Sequence, residues 1–247
     1  MHKYLNIMQK IMLSIFSIMG FVFIANIIYT YSHANNLFDK YEIKINGNKH
    51  IKNSFIINEI PHDNNSSILN VNMIKIQKKI EGLEYVQTAQ ISYILPNSLI
   101  INIIERFPTV LINKHDESVF MDSHGILLSI NEKSIINYPV PVLSINNEKD
   151  DFNYYKNKII TTINHLLLNY PNFYATINEI KINSDIWEFQ NDHKTKFYAN
   201  NDNLINQLII LKKFENTIYP QKQFKDYSYI DLRIENKIIV KEKYRKG

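Results

Sequence analysis

The sequence predicts an α+β protein: a single transmembrane helix, then a small β-α-α-β-β unit, then a second mixed α/β domain with a mainly antiparallel sheet. Three observations carry this. From Ile11 to Tyr31 the chain is almost wholly apolar, and no Asp, Glu, Lys or Arg stands between Lys10 and Asp39. From Leu83 to Ile112 apolar residues recur at period two on both sides of Pro96-Asn97, the mark of a hairpin of half-buried strands. Further on, two stretches of helical periodicity enclose short β-rich runs. With 45% hydrophobic and 21% charged residues wholesale disorder is excluded, and 5 Gly with 7 Pro exclude a collagen-like or linker-dominated chain.

Residues 11–31 are long enough to cross a bilayer, which takes roughly 20 residues. Lys3 and Lys10 flank the run on one side only, so residues 1–10 are expected in the cytoplasm, with Tyr29 and Tyr31 at the outer interface. Ser32-His33-Ala34 would suit a cleaved signal peptide, but the apolar run exceeds an h-region of about 7 to 15 residues, which favours an uncleaved anchor.

In the first unit, residues 38–108, Tyr41–Ile45 alternates as a short strand and Asn46-Gly47-Asn48 is turn chemistry. Asn53 is expected to cap a short helix that Pro61 stops. After a polar loop from Asp63 to Ser67, Asn70 is expected to cap a second helix from Val71 to Glu81. Met73, Ile76, Ile80 and Leu83 form its core side, away from Lys75, Lys78 and Lys79. In the hairpin, Ala89, Ile91 and Tyr93 alternate with Gln90 and Ser92, and Leu99, Ile101 and Ile103 recur on the return arm. Proline holds φ near about −65°, which excludes the primed two-residue turns and favours a type I turn with an adjacent bulge. Pro108 cannot donate to a ladder, so the chain must leave the sheet there or step to its edge.

In the second domain, residues 109–247, Val119–Met121 and Ile126–Leu128 flank the turn Asp122-Ser123-His124-Gly125. Asp122 and His124 invite a catalytic or metal reading, but an Asp opening a turn and a Gly in the left-handed position explain them better. A strand is expected at Val142–Ile145, and a helix from Asp150 to Asn169, capped by Asp150-Asp151, with Ile159, Ile160, Ile163, Leu166 and Leu167 inward and His165 at the edge of the core. Three strands follow, Ile177–Ile182, Ile186–Gln190 and Lys194–Tyr198, with Trp187 packed in their sheet. A helix from Asp202 to Asn216 then carries Leu204, Leu208 and Leu211 on one face. At the end of the chain Ile230, Leu232 and Ile234 alternate with Tyr229, Asp231 and Arg233. After a turn at Glu235-Asn236, the run Lys237-Ile238-Ile239-Val240-Lys241 reads as a final edge strand. It is either an ordinary edge guarded by lysines or one that accepts a strand from another chain.

The order strand, Asn46-Gly47-Asn48 turn, two helices, Leu83–Ala89 and a hairpin around Leu95-Pro96-Asn97-Ser98-Leu99 resembles a POTRA domain. With Ile104-Glu105-Arg106-Phe107-Pro108, Met121–Gly125 and Tyr229-Ile230-Asp231-Leu232-Arg233 following a single membrane span, the chain resembles the bacterial cell-division family FtsQ/DivIB. It departs from that pattern at Tyr85, where Trp is common, at Ile234, where an aromatic is common, and at Lys237, where Gly is common. The resemblance implies an inner-membrane, single-pass protein with its bulk in the periplasm, a scaffold that links cytoplasmic and periplasmic divisome components. Its implied partners are FtsB- and FtsL-like membrane proteins. It turns the final edge into a docking site formed by Tyr229, Asp231, Arg233, Ile234, Asn236, Lys237, Ile238, Ile239 and Val240, with Arg233 holding an acidic residue of the partner.

Other function classes find less in the chain. A net charge of +4, scattered and without a basic face interleaved with aromatics, excludes a nucleic-acid partner. Zero cysteines remove thiol catalysis, disulfides and cysteinyl metal sites, and none of the eight histidines pairs at metal-binding spacing, so no cofactor is implied. No nucleophile elbow, P-loop or dinucleotide glycine pattern occurs, and the chain reads as a non-enzyme. The alternatives are another POTRA-bearing accessory of export or outer-membrane assembly, and a periplasmic hydrolase built on two carboxylates brought together by the fold.

Overall fold

The computed structural model describes residues 2–38, 41–60, 67–113, 118–130, 138–146, 152–235 and 237–244. The chain divides into two units, Met1–Glu105 and Arg106–Gly247. In the first, helix α1 runs from His2 to Ala34, so the expected tail and span lie in one continuous helix. Its segment Met8–Ala34 is long and apolar enough to cross a membrane. Hydroxyls within it bond back along the helix, Ser14 to the Lys10 carbonyl and Thr30 to that of Asn26, which keeps polar side chains satisfied in an apolar medium. Asn36 takes the left-handed conformation (φ 48°) while Asn36 N–H bonds His33 O and Leu37 N–H bonds Ser32 O, a Schellman end that stops the helix sharply.

Beyond the helix, β1 (Glu42–Asn46), α2 (Asn53–Asn58), α3 (Met73–Glu81), β2 (Val86–Ile94) and β3 (Ser98–Glu105) make the β-α-α-β-β unit. The sheet order is β1-β3-β2, with β1 parallel and β2 antiparallel to β3. The hairpin's return arm is therefore the central strand. Leu99, Ile101 and Ile103 are buried together with Ile56, Ile76, Ile80, Val86 and Ala89, and Leu83 and Ile91 pack against them. Met73, on the first turn of α3, is outside that cluster. Gly47 sits at φ 87°, and a Cβ there would lie 2.1 Å from the Ile103 carbonyl oxygen, so the turn after β1 admits only glycine. Glu105, buried at the end of β3, accepts the N–H groups of His50 and Ile51 at 2.8 Å each and fastens that turn to the central strand.

The caps differ from expectation. Asn72, not Asn70, caps α3 through its side chain on Lys75 N–H (3.0 Å), because residues 68–70 first make a 3-10 turn. Asn53 is the first helical residue of α2 rather than its cap, and its Oδ1 accepts from Asn48. In the hairpin Ile94 pairs with Ser98 around a three-residue loop with a cis Leu95–Pro96 peptide, and the bulge lies at the opposite end, between Val86 and Thr88. Pro61 and most of the expected polar loop lie outside the described residues.

The second unit contains β4 (Pro108–Asn113), β5 (Ser118–Asp122), β6 (Leu127–Leu128), β7 (Val142–Ile145), α4 (Phe152–Asn169), α5 (Pro171–Thr176), β8 (Ile177–Asn183), β9 (Ile186–Asn191), β10 (Lys196–Asn200), α6 (Leu204–Ile218), β11 (Tyr227–Asp231) and β12 (Ile239–Glu242). Among the described residues these nine strands form one sheet in the order β12-β11-β10-β9-β8-β7-β4-β5-β6. Most neighbours are antiparallel, but β4–β7, β7–β8 and β10–β11 are parallel, the last two joined by helical crossovers. Pro108 opens β4, where the missing N–H costs no ladder bond; this strand and α5 carry too few residues for their periods to show in the sequence. Inward residues of the sheet, Trp187, Phe189, Phe197 and Ile230 among them, meet Ile159, Ile163 and Leu166 of α4, Phe173 of α5 and Leu204, Leu208 and Leu211 of α6 in one core. The outward residues of β8 to β11 are only half-buried and mostly polar.

Candidate functional site

Among the described residues β12 is an edge strand of the large sheet, paired antiparallel to β11 with Tyr229 opposite Lys241, Ile230 opposite Val240 and Asp231 opposite Ile239. Backbone direction decides which of its groups are open. Leu232 N–H bonds Tyr198 O on the β10 side, so by the two-residue period the N–H groups of Tyr229 and Asp231 face β12. Ile239 and Lys241 therefore face back to β11, as the bond from Lys243 N–H to Asp226 O continues to show. Val240 and Glu242 present their N–H and C=O to the open edge. The expected run from Lys237 to Lys241 is thus shorter as a strand. Lys237 and Ile238 precede it, with Lys237 N–H closing a turn on Ile234 O at 3.2 Å. Ile230 and Leu232 are buried as the alternation predicts, but Ile234 is 46% exposed because the chain has already turned away; Asn236 lies outside the described residues.

On the outward face beside this edge stands a polar and aromatic group. Arg233 grips Asp231 with a fork: Nε to Oδ1 at 2.9 Å, a terminal nitrogen to Oδ2 at 2.6 Å, and its own backbone N–H to Oδ1 at 3.0 Å. Its guanidinium also lies 5.3 Å from the centroid of the Tyr198 ring, and that ring meets Tyr229 edge-on. The arginine's hydrogen bonds hold the Asp231 carboxyl below the usual carboxylate range against the opposing effect of burial, and Asp231 in turn makes Arg233 hold its proton more firmly. An arginine has five N–H donors, so one edge of Arg233 is anchored and the remaining donors are presented in a fixed direction. The far end of β12 is tied down separately: Glu242 pairs with Lys222, and Lys243 Nζ donates to His193 O at 2.7 Å. Tyr198, Lys222 and His193 had no local signal in the sequence, since only the parallel β10–β11 pairing and the chain's return bring them here.

Asp122, suggested above as a turn residue, accepts His124 N–H (2.9 Å), Ile126 N–H (2.8 Å) and an Arg106 guanidinium nitrogen (2.8 Å), and is 1% exposed. Its contacts are those of a turn lock. The capping role given to Asp150-Asp151 lies outside the described residues. A cleft of about 320 Å³ beside α5 and the end of α6 contains one carboxylate, Glu215, which receives the Tyr170 hydroxyl. The carboxylate pair that hydrolysis would need is not found there. Among the described residues no three His, Asp or Glu side chains are placed to hold a metal ion.

Residues 41–106 match the family described as POTRA domain, FtsQ-type. The chain is 26% identical over 102 residues to the cell division protein FtsQ of Koribacter versatilis, covering 41% of this chain and 29% of that protein. It is 29% identical over 107 residues to the cell division protein DivIB of Clostridium tetani, covering 43% of this chain and 40% of the relative. The matched stretch thus spans less than half of either relative.

Proposed function

We propose that the chain is a member of the FtsQ/DivIB family, which the FtsQ-type POTRA match and the two division-protein relatives support, and that it is a scaffold of the division machinery, anchored in the inner membrane by α1. Its N-terminus lies in the cytoplasm, as Lys3 and Lys10 favour, and both folded units lie in the periplasm. The names of the relatives and the FtsQ type of the POTRA match support division over export or outer-membrane assembly. The partners are FtsB- and FtsL-like membrane proteins, and a segment of one of them adds as a strand to β12.

The observation that carries this is the open edge at Val240 and Glu242 beside the oriented donors of Arg233. The partner's backbone bonds to the edge groups, and a carboxylate on the partner takes the outer donors of Arg233, completing a charge-assisted pair in which Asp231 sets the geometry. Ile239 and Tyr229 are the side chains on the same face.

The test is capture of the FtsB-like partner by the full chain in detergent. Val240→Pro removes an edge N–H without touching the β11 ladder and should weaken capture by about tenfold, a lost backbone bond plus a ring where the incoming strand must lie. Arg233→Glu should abolish it. Ile239→Pro is not diagnostic, because that N–H serves β11. Fluorescence of Trp187, the one tryptophan, reports that the domain remains folded. Undiminished capture in both variants sends the interface elsewhere.

A further inference from the structure

The first unit places an unpaired basic surface beside the membrane span. The chain leaves α1 by the tight Schellman turn, and Ile68 N–H then donates to Phe38 O at 2.8 Å, which pins residues 68–70 next to the point where the chain leaves the helix. Leu69 is 58% exposed there, and Ile74, on the first turn of α3, is 68% exposed. Six residues of chain reach at most about 20 Å, so Ile74 is held close to the boundary that Phe38 marks. The core side of α3 is formed by Ile76 and Ile80; Ile74 and Lys78 lie at the opposite pole, with Lys75 and Lys79 along one flank. From Asn64 to Ile80 there are three lysines and no acidic residue, and none of the three is in an ion pair among the described residues. Glu81, the acid of α3, is turned to the other flank, where it accepts Ala89 N–H at 3.1 Å and Gln77 Nε2 at 3.0 Å.

We propose that this pole of α3 docks on the anionic headgroups of the bilayer that α1 crosses, with Lys75, Lys78 and Lys79 at the phosphates and Ile74 and Leu69 against the headgroup layer. The inference rests on α1 as a membrane span. Each lysine within a screening length of an anionic surface gains attraction, and a tethered domain needs few of them because its local concentration is already high. Docking of this kind fixes the orientation of the POTRA unit on the membrane, which a single helical tether leaves free.

The chain has no cysteine, so a single introduced one takes a fluorophore uniquely. The full chain is placed in nanodiscs of phosphatidylcholine with or without phosphatidylglycerol, labelled at Ile74→Cys, at Gln90→Cys on the sheet face away from the helices, or at Phe23→Cys within the span. Quenching by headgroup-nitroxide lipid is then read. The Ile74 label should be quenched when phosphatidylglycerol is present, less at high salt, and the Gln90 label in neither disc. In the Lys75→Gln, Lys78→Gln, Lys79→Gln triple variant the docked-to-undocked ratio should fall by about fivefold per lysine removed. A Phe23 label shielded from water-soluble quencher together with an unquenched Ile74 label overturns the docking alone. A Phe23 label open to that quencher overturns the span and the docking with it. Quenching at Ile74 that persists in the triple variant also refutes the assigned surface.

Discussion

Replacing Asp122 by Asn should destabilise the second unit by about 3 kcal/mol at neutral pH. The carboxylate is 1% exposed and serves three donors, the Arg106 guanidinium and the N–H groups of His124 and Ile126. Asparagine can keep one oxygen on the two backbone donors, but its amide then meets Arg106 donor to donor. A hydrogen bond to a charged group contributes about 1.5–3 kcal/mol, and breaking a buried pair costs about 3–5 kcal/mol; the side chain of Arg106 is 17% exposed, so the lower part of that range applies. Burial pushes the carboxyl upward, but Arg106 and the two amides outweigh it and hold it below its ordinary value. With the folded value depressed, this stability is complete above the unfolded value of about 4 and is lost as pH falls through the folded one. The assay is urea unfolding followed by Trp187, which is buried in this unit and blind to the other. At a slope of about 2 kcal/mol/M, the midpoint should drop by about 1.5 M at pH 7, and the difference between variant and parent should shrink in acid. A midpoint shift under about 0.5 M at pH 7, or one unchanged in acid, would refute the argument.

In the POTRA unit, Ile101→Asp puts an unpaired carboxylate on the central strand at a fully buried site and should cost several kcal/mol, enough to unfold a small domain. Hydrogen exchange over residues 86–105 should then lose protection while Trp187 unfolds as before, and retained protection would mean that Ile101 is not in the core. Asn72→Ala should lower the stability of the same unit by about 1 kcal/mol through loss of the α3 cap, whereas Asn70→Ala should have little effect; the reverse order in exchange of the α3 amides would restore Asn70 as the cap.

What was legible in the chain was whatever two or three neighbouring residues determine. Leu99, Ile101 and Ile103 announced their burial through a strict alternation, and Ile159, Ile163 and Leu166 through helical spacing. Gly47 and Gly125 marked turns that indeed take positive φ. What failed depended on contacts far apart in sequence or on the last residue of an element. A 3-10 turn at 68–70 moved the cap from Asn70 to Asn72. The bend after Leu232 took Ile234 out of the alternation. Nothing near Arg233 indicated that its guanidinium would close on Asp231 two residues earlier and lie over Tyr198 on a neighbouring strand, because β10 and β11 are brought together by the α6 crossover. The open-edge role of Val240, as against Ile239, required the direction of one backbone bond that no side-chain pattern encodes.

The strand order of the large sheet also carries a history. Once β4, β5 and β6 have paired, β7 joins the free side of β4, and then β8, β9, β10, β11 and β12 each join the strand made just before, so no strand inserts between two older ones. A chain emerging N-terminus first can therefore assemble this sheet as it arrives, with every intermediate presenting a receptive margin to what comes next. In the POTRA sheet the opposite holds, since β3 must slot between β1 and β2 and the first strand waits for the last. Among the described residues the growing margin does not close, and its outermost strand is β12. On the reading proposed here, a strand supplied by another protein continues the same directional growth, and assembly of the complex is the last step of a process that began as folding.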